Sequence, residues 1–321
     1  MLSVIKCTQD MINLASRALK DGRLVAFPTE TVYGLGADAS NKEAVRRIYS
    51  VKGRPSNHPL IIHILSINQI NNWAVDVPEY AFKLAKKFWP GPMTLVVKKS
   101  NFTKDFVTGG QETVALRVPS HPIARAILTK CIDLGMFGIA APSANKFGAV
   151  SPTTADSVAE EIGENLDLGD FILDGGQCSI GIESTIVDCS GAIPTILRSG
   201  SVTSEEVIKV TNIQSNFSPE KTNVRVPGLL NSHYSPKAKI ILDRLPLPGE
   251  GFIALGSIPT PPGAIRLAAP ESIQQYGIEL YSALRMCDRL KLDIVSIVLP
   301  ASGGLGKAII DRIIKASFRG V

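Results

Sequence analysis

A chain of 321 residues with 45% hydrophobic and 20% charged side chains can bury sizeable cores, and its length argues for two domains. The formal charge of +5 admits an anionic substrate or an RNA partner but is mild for a dedicated nucleic-acid protein. No apolar run approaches the roughly 20 residues of a membrane helix, and MLSVIKCTQDM lacks the apolar core of a signal peptide. The five scattered cysteines (Cys7, Cys131, Cys178, Cys189, Cys287) have no Cys-x-x-Cys or zinc spacing, so a cytoplasmic protein with free thiols, no metal cluster and no membrane is expected.

Along the chain, TQDMINLASRALKDG carries apolar residues at helical spacing, with Thr8 as its cap and Gly22 as its stop. RLVAFP reads as a strand, NKEAVRRIYSVKG as a helix and PLIIHI as a strand. PEYAFKLAKKFWPGP then reads as a helix stopped by Pro-Gly-Pro, followed by TLVVKKS and TVALRVP as strands. HPIARAILTKCIDLG is a helix, FGIAAPS a strand, a helix falls near 154 to 163, and FILDGG, STIVDCS and TILRSG are short strands. These mixed spacings predict an α/β domain over 1 to 210 whose sheet is not purely parallel. From 211 to 238 periodicity lapses, which predicts a linker or lid. AKIILD, FIALGS, a helix near 273 to 292 and DIVSIVLP restore the alternation, so 239 to 321 forms a smaller α/β domain.

Several stretches could carry chemistry. FPTETVYGLG leaves a strand with two threonines, Glu30, Tyr33 and two glycines; it suits backbone approach by a small ligand, or marks a tight turn. In VKGRPSNHP, Pro55 favours an extended Arg54, which would put Lys52 and Arg54 on one side as a clamp for a polyphosphate. The same cations would also complement a helix C-terminus with no ligand at all. His63 inside PLIIHI reads equally as a satisfied core histidine. APSANKFGAVSPT presents Ser143, Asn145, Ser151 and Thr153 after a strand, fit for phosphate or ribose and also for ordinary capping. Arg117 and Arg198 fall near strand ends, as surface charges or as anion forks. SGGLGKAII fails both the Walker and the dinucleotide glycine spacing, and no G-x-S-x-G surrounds the serine of GIESTIVD.

The order of these motifs is more telling than any one of them. FPTETVYGLG, KGRPSNHPL, ALRVP, APSAN, ESTIVD and LRSG, followed by HYSP and SGGLGKAIIDRIIKA, resemble the YrdC-like family in its two-domain form over nearly the whole chain. The resemblance implies a first domain with a twisted mixed sheet and an open concave cleft, and a smaller Rossmann-like second domain. It further implies a nucleotidyltransferase that condenses L-threonine, bicarbonate and ATP into threonylcarbamoyl-adenylate and pyrophosphate. A downstream enzyme then passes the threonylcarbamoyl group to the tRNA adenosine beside the anticodon; direct tRNA contact is left open.

Carried over residue by residue, the resemblance places the threonine pocket on Thr31, His63, Arg117, Ala141 and Ser184. ATP contacts fall on Lys52, Arg54, His58, Thr113, Ser143, Asn145, Ser151, Arg198 and Tyr234, with Lys52 and Arg54 as the catalytic pair. Magnesium would arrive with the triphosphate. The rival from another class is an RNA-binding or ribosome-maturation module using Lys42, Arg46, Arg47, Lys52 and Arg54. It leaves FPTETVYGLG, Arg117 and the SAN loop unexplained, and lacks the stacking aromatics of single-strand binders. A carbamoyl-handling or sugar-phosphate enzyme on a related fold is a third reading, weakened by the second domain.

Overall fold

The computed structural model describes residues 4–217, 224–228 and 234–318. Across its larger sheet the strands follow the order Val4–Lys6, Phe171–Asp174, Val25–Phe27, Gly34–Asp38, Ile139–Ala140, Ile61–His63, Thr113–Arg117, Met93–Lys98, Thr185–Asp188, Thr195–Arg198 and Asn216–Phe217. The sheet is mixed, as expected: Ile61–His63 lies parallel to Thr113–Arg117, and Met93–Lys98 lies antiparallel to that strand.

The period-2 alternation of strand side chains decides which face carries the site. Ile62 and Leu116 enter a core with Val45, Ile48 and Leu84 from the helices Lys42–Lys52 and Glu79–Phe88. Ile61 and Ala115 face the other way, in a small apolar cluster with Val96, Ile186, Leu197 and Val226. His63 and Arg117 each lie two residues further on, so they share that second face, and they are register partners across the two parallel strands.

Two local readings are corrected. Gly34 and Gly36 are not a tight turn: they lie in the strand Gly34–Asp38. A Cβ at Gly36 would come within 2.7 Å of the Phe27 ring and 2.8 Å of Ile139, so glycine there serves close strand packing. Nor do Lys52 and Arg54 share a side of an extended segment. Lys52 is the last residue of its helix, and Gly53 caps it in the left-handed region at φ 60°.

The second sheet holds Lys239–Leu242, Ile294–Ile297, Gly251–Ile253 and Ile265–Ala268 in that order, all pairs parallel. Helices Ile273–Arg289 and Leu305–Ser317 pack with it, but their core also takes in Val32, Val150 and Ile182 from the first domain's loops. Helix Ser204–Thr211 and strand Asn216–Phe217, which pairs with Thr195–Arg198, carry first-domain structure past residue 210. Of the expected linker, 218–223 and 229–233 lie outside the described residues. No helix among the described residues is long and apolar enough to cross a membrane.

Candidate active site

A cleft opens on the face bearing Ile61, His63 and Arg117. It is lined also by Thr29, Thr31 and Val32, by Ala141, Pro142 and Ser143, by Glu183, Ser184 and Arg198, and by Arg54, Pro227, Gly228 and Tyr234. The PTETVYG and APSAN stretches are backbone neighbours: Leu35 N donates to Pro142 O at 2.8 Å, and Ala144 N to Tyr33 O at 2.9 Å.

The cations differ in what already holds them. Arg117 donates to Glu30 Oε1 at 2.7 Å, to Thr31 Oγ1 at 2.9 Å and to Gly91 O at 3.3 Å, so its charge is offset by a buried carboxylate. Arg54 donates to Pro59 O at 2.9 Å and His58 O at 3.4 Å, and sits 5.5 Å from the centre of the Phe147 ring. Arg198 donates to Ser184 O, Ser184 Oγ and Pro227 O, each at 3.1 Å. Among the described residues no carboxylate pairs with Arg54 or Arg198. Burial draws Arg54 down to about 10, Tyr49 opposes this, and the like charge of Arg198 adds to it; Arg198 is lowered chiefly by burial. Both stay charged at neutral pH. Two buried guanidiniums therefore line one cleft, Arg54 with no carboxylate beside it among the described residues and Arg198 with only the Glu183 charge acting on it, unpaired by any hydrogen bond.

Lys52 is deployed differently from the sequence expectation. It is buried rather than outside the core, does not line the cleft, and donates to Ser143 O at 2.6 Å and to Asn145 O. Burial, then Arg54, pulls its pKa well below the usual lysine value. It ties down the backbone of the SAN loop.

Of the other expected threonine-pocket residues, Thr31, His63, Ala141 and Ser184 all line the cleft. His63 is held neutral, its pKa drawn to about 3 by burial and the Arg117 charge, and among the described residues its buried Nδ1 has no hydrogen-bond partner. Ser184 Oγ lies 2.7 Å from Thr94 Oγ1. Of the expected nucleotide residues, Arg54, Ser143, Arg198 and Tyr234 line the cleft; His58, Thr113, Asn145 and Ser151 do not. Asn145 donates to Lys146 O and Ala149 O at 2.7 and 2.8 Å, and its buried Oδ1 has no partner among the described residues. Ser151 Oγ is committed to Glu183 Oε1 at 2.6 Å.

The basic cluster of the RNA-binding rival is not a continuous face. Arg46 pairs with Glu43, Arg47 with Asp167 and Asp170, and Lys52 and Arg54 are buried.

Glu183 was missed as a site residue, and Glu30 was singled out only as part of FPTETVYGLG, because the cation that defines each lies 129 or 87 residues away. Burial alone would raise the Glu183 pKa, but Arg312, then Arg198, and hydrogen bonds from Arg312 and Ser151 hold it at about 2. A carboxyl depressed on folding contributes stability that is present above its ordinary pKa and is lost as pH falls toward the folded value. Between about pH 5 and pH 2 the protein should therefore lose on the order of 3 kcal/mol from Glu183 alone. Urea unfolding of wild type and Glu183→Gln across that range tests this: the variant should be less stable at pH 7 with a flatter acid limb. Parallel curves would remove Glu183 as the cause.

A large mixed sheet bearing a cleft lined by buried arginines, together with a smaller parallel sheet, defines a two-domain α/β protein. The chain belongs to the Sua5/YciO/YrdC family: that family's model, described as telomere recombination, matches residues 17–200, and the model described as threonylcarbamoyl-AMP synthase, C-terminal domain, matches 202–317. It is 39% identical to the threonylcarbamoyl-AMP synthase of Pyrococcus abyssi, over 95% of this chain and 94% of that protein. Identity to the enzyme of the same name from Bacillus subtilis is 37%, over 94% and 92% of the two chains. Among solved structures it is similar to P. abyssi Sua5 complexed with L-threonine, with a TM-score of 0.88, 36% identity and 98% of each chain covered.

Proposed function

We propose that this protein condenses L-threonine, bicarbonate and ATP to threonylcarbamoyl-adenylate and pyrophosphate, as a cytoplasmic nucleotidyltransferase serving tRNA modification beside the anticodon. The observation that carries this reading is the convergence on one cleft of Arg54 and Arg198, both buried and, among the described residues, without a salt bridge to a carboxylate. The names of the relatives and the threonine complex of P. abyssi Sua5 support it.

In this reading threonine lies against Thr31, His63, Arg117, Ala141 and Ser184. Arg117 keeps N–H donors beyond those given to Glu30, Thr31 and Gly91, enough to meet the amino acid's carboxylate. Neutral His63 offers its unpartnered Nδ1 to the substrate. The nucleotide takes Arg54, Ser143, Arg198 and Tyr234 from the cleft wall, with His58, Thr113, Asn145 and Ser151 as further contacts or supports.

Threonine's amine and bicarbonate give a carbamate with loss of water, and a carbamate oxygen attacks the α-phosphorus and displaces pyrophosphate. The protein's part is positioning and charge neutralisation. Arg54 offsets charge on the leaving pyrophosphate, and Lys52 holds the Ser143–Asn145 backbone against the nucleotide. Glu183, the acid that lines the cleft, is engaged by Arg312, and Glu30, which does not line it, by Arg117, so these residues do not fit a resident divalent ion. Magnesium belongs here to the triphosphate. A downstream transfer enzyme consumes the adenylate.

Pyrophosphate release should require threonine, bicarbonate and magnesium-ATP together. The test withholds each in turn, and full-rate release without threonine would sink the reading.

A further inference from the structure

Glu183 and Tyr234 both line the cleft, yet groups that hold them come from the second domain. Tyr281, on helix Ile273–Arg289, donates to Glu183 Oε2 at 3.0 Å. Its ring stacks on Tyr234 with centroids 5.6 Å apart and planes 21° from parallel. Arg312, on helix Leu305–Ser317, donates through Nε to the same Oε2 at 2.8 Å and through Nη2 to Ser199 O at 2.8 Å. Its guanidinium carbon also lies 5.4 Å from the Tyr234 ring centre. Tyr281 and Arg312 are fully buried, and neither lines the cleft.

A third tie runs from Lys315, which donates to Gly228 O at 2.8 Å. Gly228 is where a Cβ would come within 2.8 Å of Tyr234 Oη and 3.0 Å of Arg198 Cδ. Tyr234 itself has φ of 63°, a region a bulky side chain occupies only when its surroundings impose it. The wall on the nucleotide side is therefore built on contacts from the second domain's two helices. On the threonine side, by contrast, Thr31 bonds to Thr29 and Arg117, and Arg117 to Glu30 and Gly91, all in the first domain.

We propose that Tyr281 and Arg312 are positioning residues for the nucleotide: acting through Glu183 and Tyr234, they make the second domain a working part of the cleft. This rests on the reading that the cleft takes threonine and ATP. It differs from a purely adhesive role, in which the helices would only cover the apolar surface around Val32, Val150 and Ile182.

Full-length Tyr281→Phe removes one hydroxyl and keeps the stack on Tyr234; Arg312→Gln removes the charge, and Arg312→Lys restores it without the fork. Tyr281→Phe and Arg312→Gln should raise KM for ATP about tenfold, the scale of a small misplacement transmitted from a distance. Threonine affinity by calorimetry should stay within about twofold, because the lost contacts concern only the nucleotide side. Arg312→Lys should recover part of the loss. Arg289→Ala, which breaks a half-exposed pair with Glu160 at the same domain junction, should leave both values unchanged. The proposal is overturned if both ligands weaken equally in step with Tm, or if neither changes in Tyr281→Phe and Arg312→Gln. Should the wild type release no pyrophosphate from the three substrates, the reaction as read falls. Calorimetric ATP binding by Tyr281→Phe then still decides the positioning role.

Discussion

Arg117→Ala is expected to lower stability by about 3 to 5 kcal/mol, because it strands Glu30 as a buried carboxylate without its cation. Both side chains of this pair are 5% exposed, and Glu30 also accepts from Ser120 N at 3.1 Å. The Arg117 charge and hydrogen bond hold the Glu30 carboxyl below its ordinary pKa, against the effect of burial. The pair's contribution is therefore complete above the usual glutamate pKa and is lost as pH falls through the lowered value.

Threonine affinity should fall as well, so unfolding and binding must be separated. Replacing both partners, as Glu30→Gln with Arg117→Met, should return much of the stability, since no unpaired charge then remains. Threonine binding should stay lost if Arg117 meets the substrate carboxylate. Urea unfolding paired with calorimetric titration distinguishes the two. Recovery of threonine affinity in the double variant would confine Arg117 to a structural role.

Arg54→Ala should cost about 3 kcal/mol or more in kcat/KM, the scale of losing one preorganised charge donor at a developing anion. It will not be silent for folding, contrary to what a residue in a Lys-Gly-Arg-Pro stretch suggests. Arg54 is 7% exposed, and its loss leaves Pro59 O to find another donor, at about 1 to 3 kcal/mol for a group left buried and unpaired, while His58 O keeps its bond from Tyr49 Oη at 3.2 Å. Arg54→Lys should rescue poorly, because a point ammonium cannot meet those carbonyls and face the cleft together. Steady-state pyrophosphate release, read at temperatures well below each variant's Tm, checks the prediction. An unchanged kcat/KM in Arg54→Ala would remove Arg54 from the reaction.

The sequence determined those features whose causes lie within a few residues. Thr8 accepts from Met11 N at 3.3 Å, because an N-cap acts within its own first turn. The short runs IIH, TVALR and TILR were legible as strands from their β-branched content, and the motif order along the chain carried the family. Strands Val4–Lys6 and Ile265–Ala268 were not legible; they are short, largely part-exposed, and owe their state to partner strands at Phe171–Asp174 and Gly251–Ile253.

The tertiary structure decided the charge relations. KGR reads alike whether Lys52 meets a phosphate or a carbonyl; only the APSAN loop folding back over the helix end brings Ser143 O and Asn145 O to its ammonium, 91 and 93 residues away. GIESTIVD gives no sign that its glutamate will be buried between two domains, because the cation that makes this tolerable stands on the helix Leu305–Ser317. A buried ion is stable only with its partner in place, and such partners are set by how the domains pack, not by spacing along the chain.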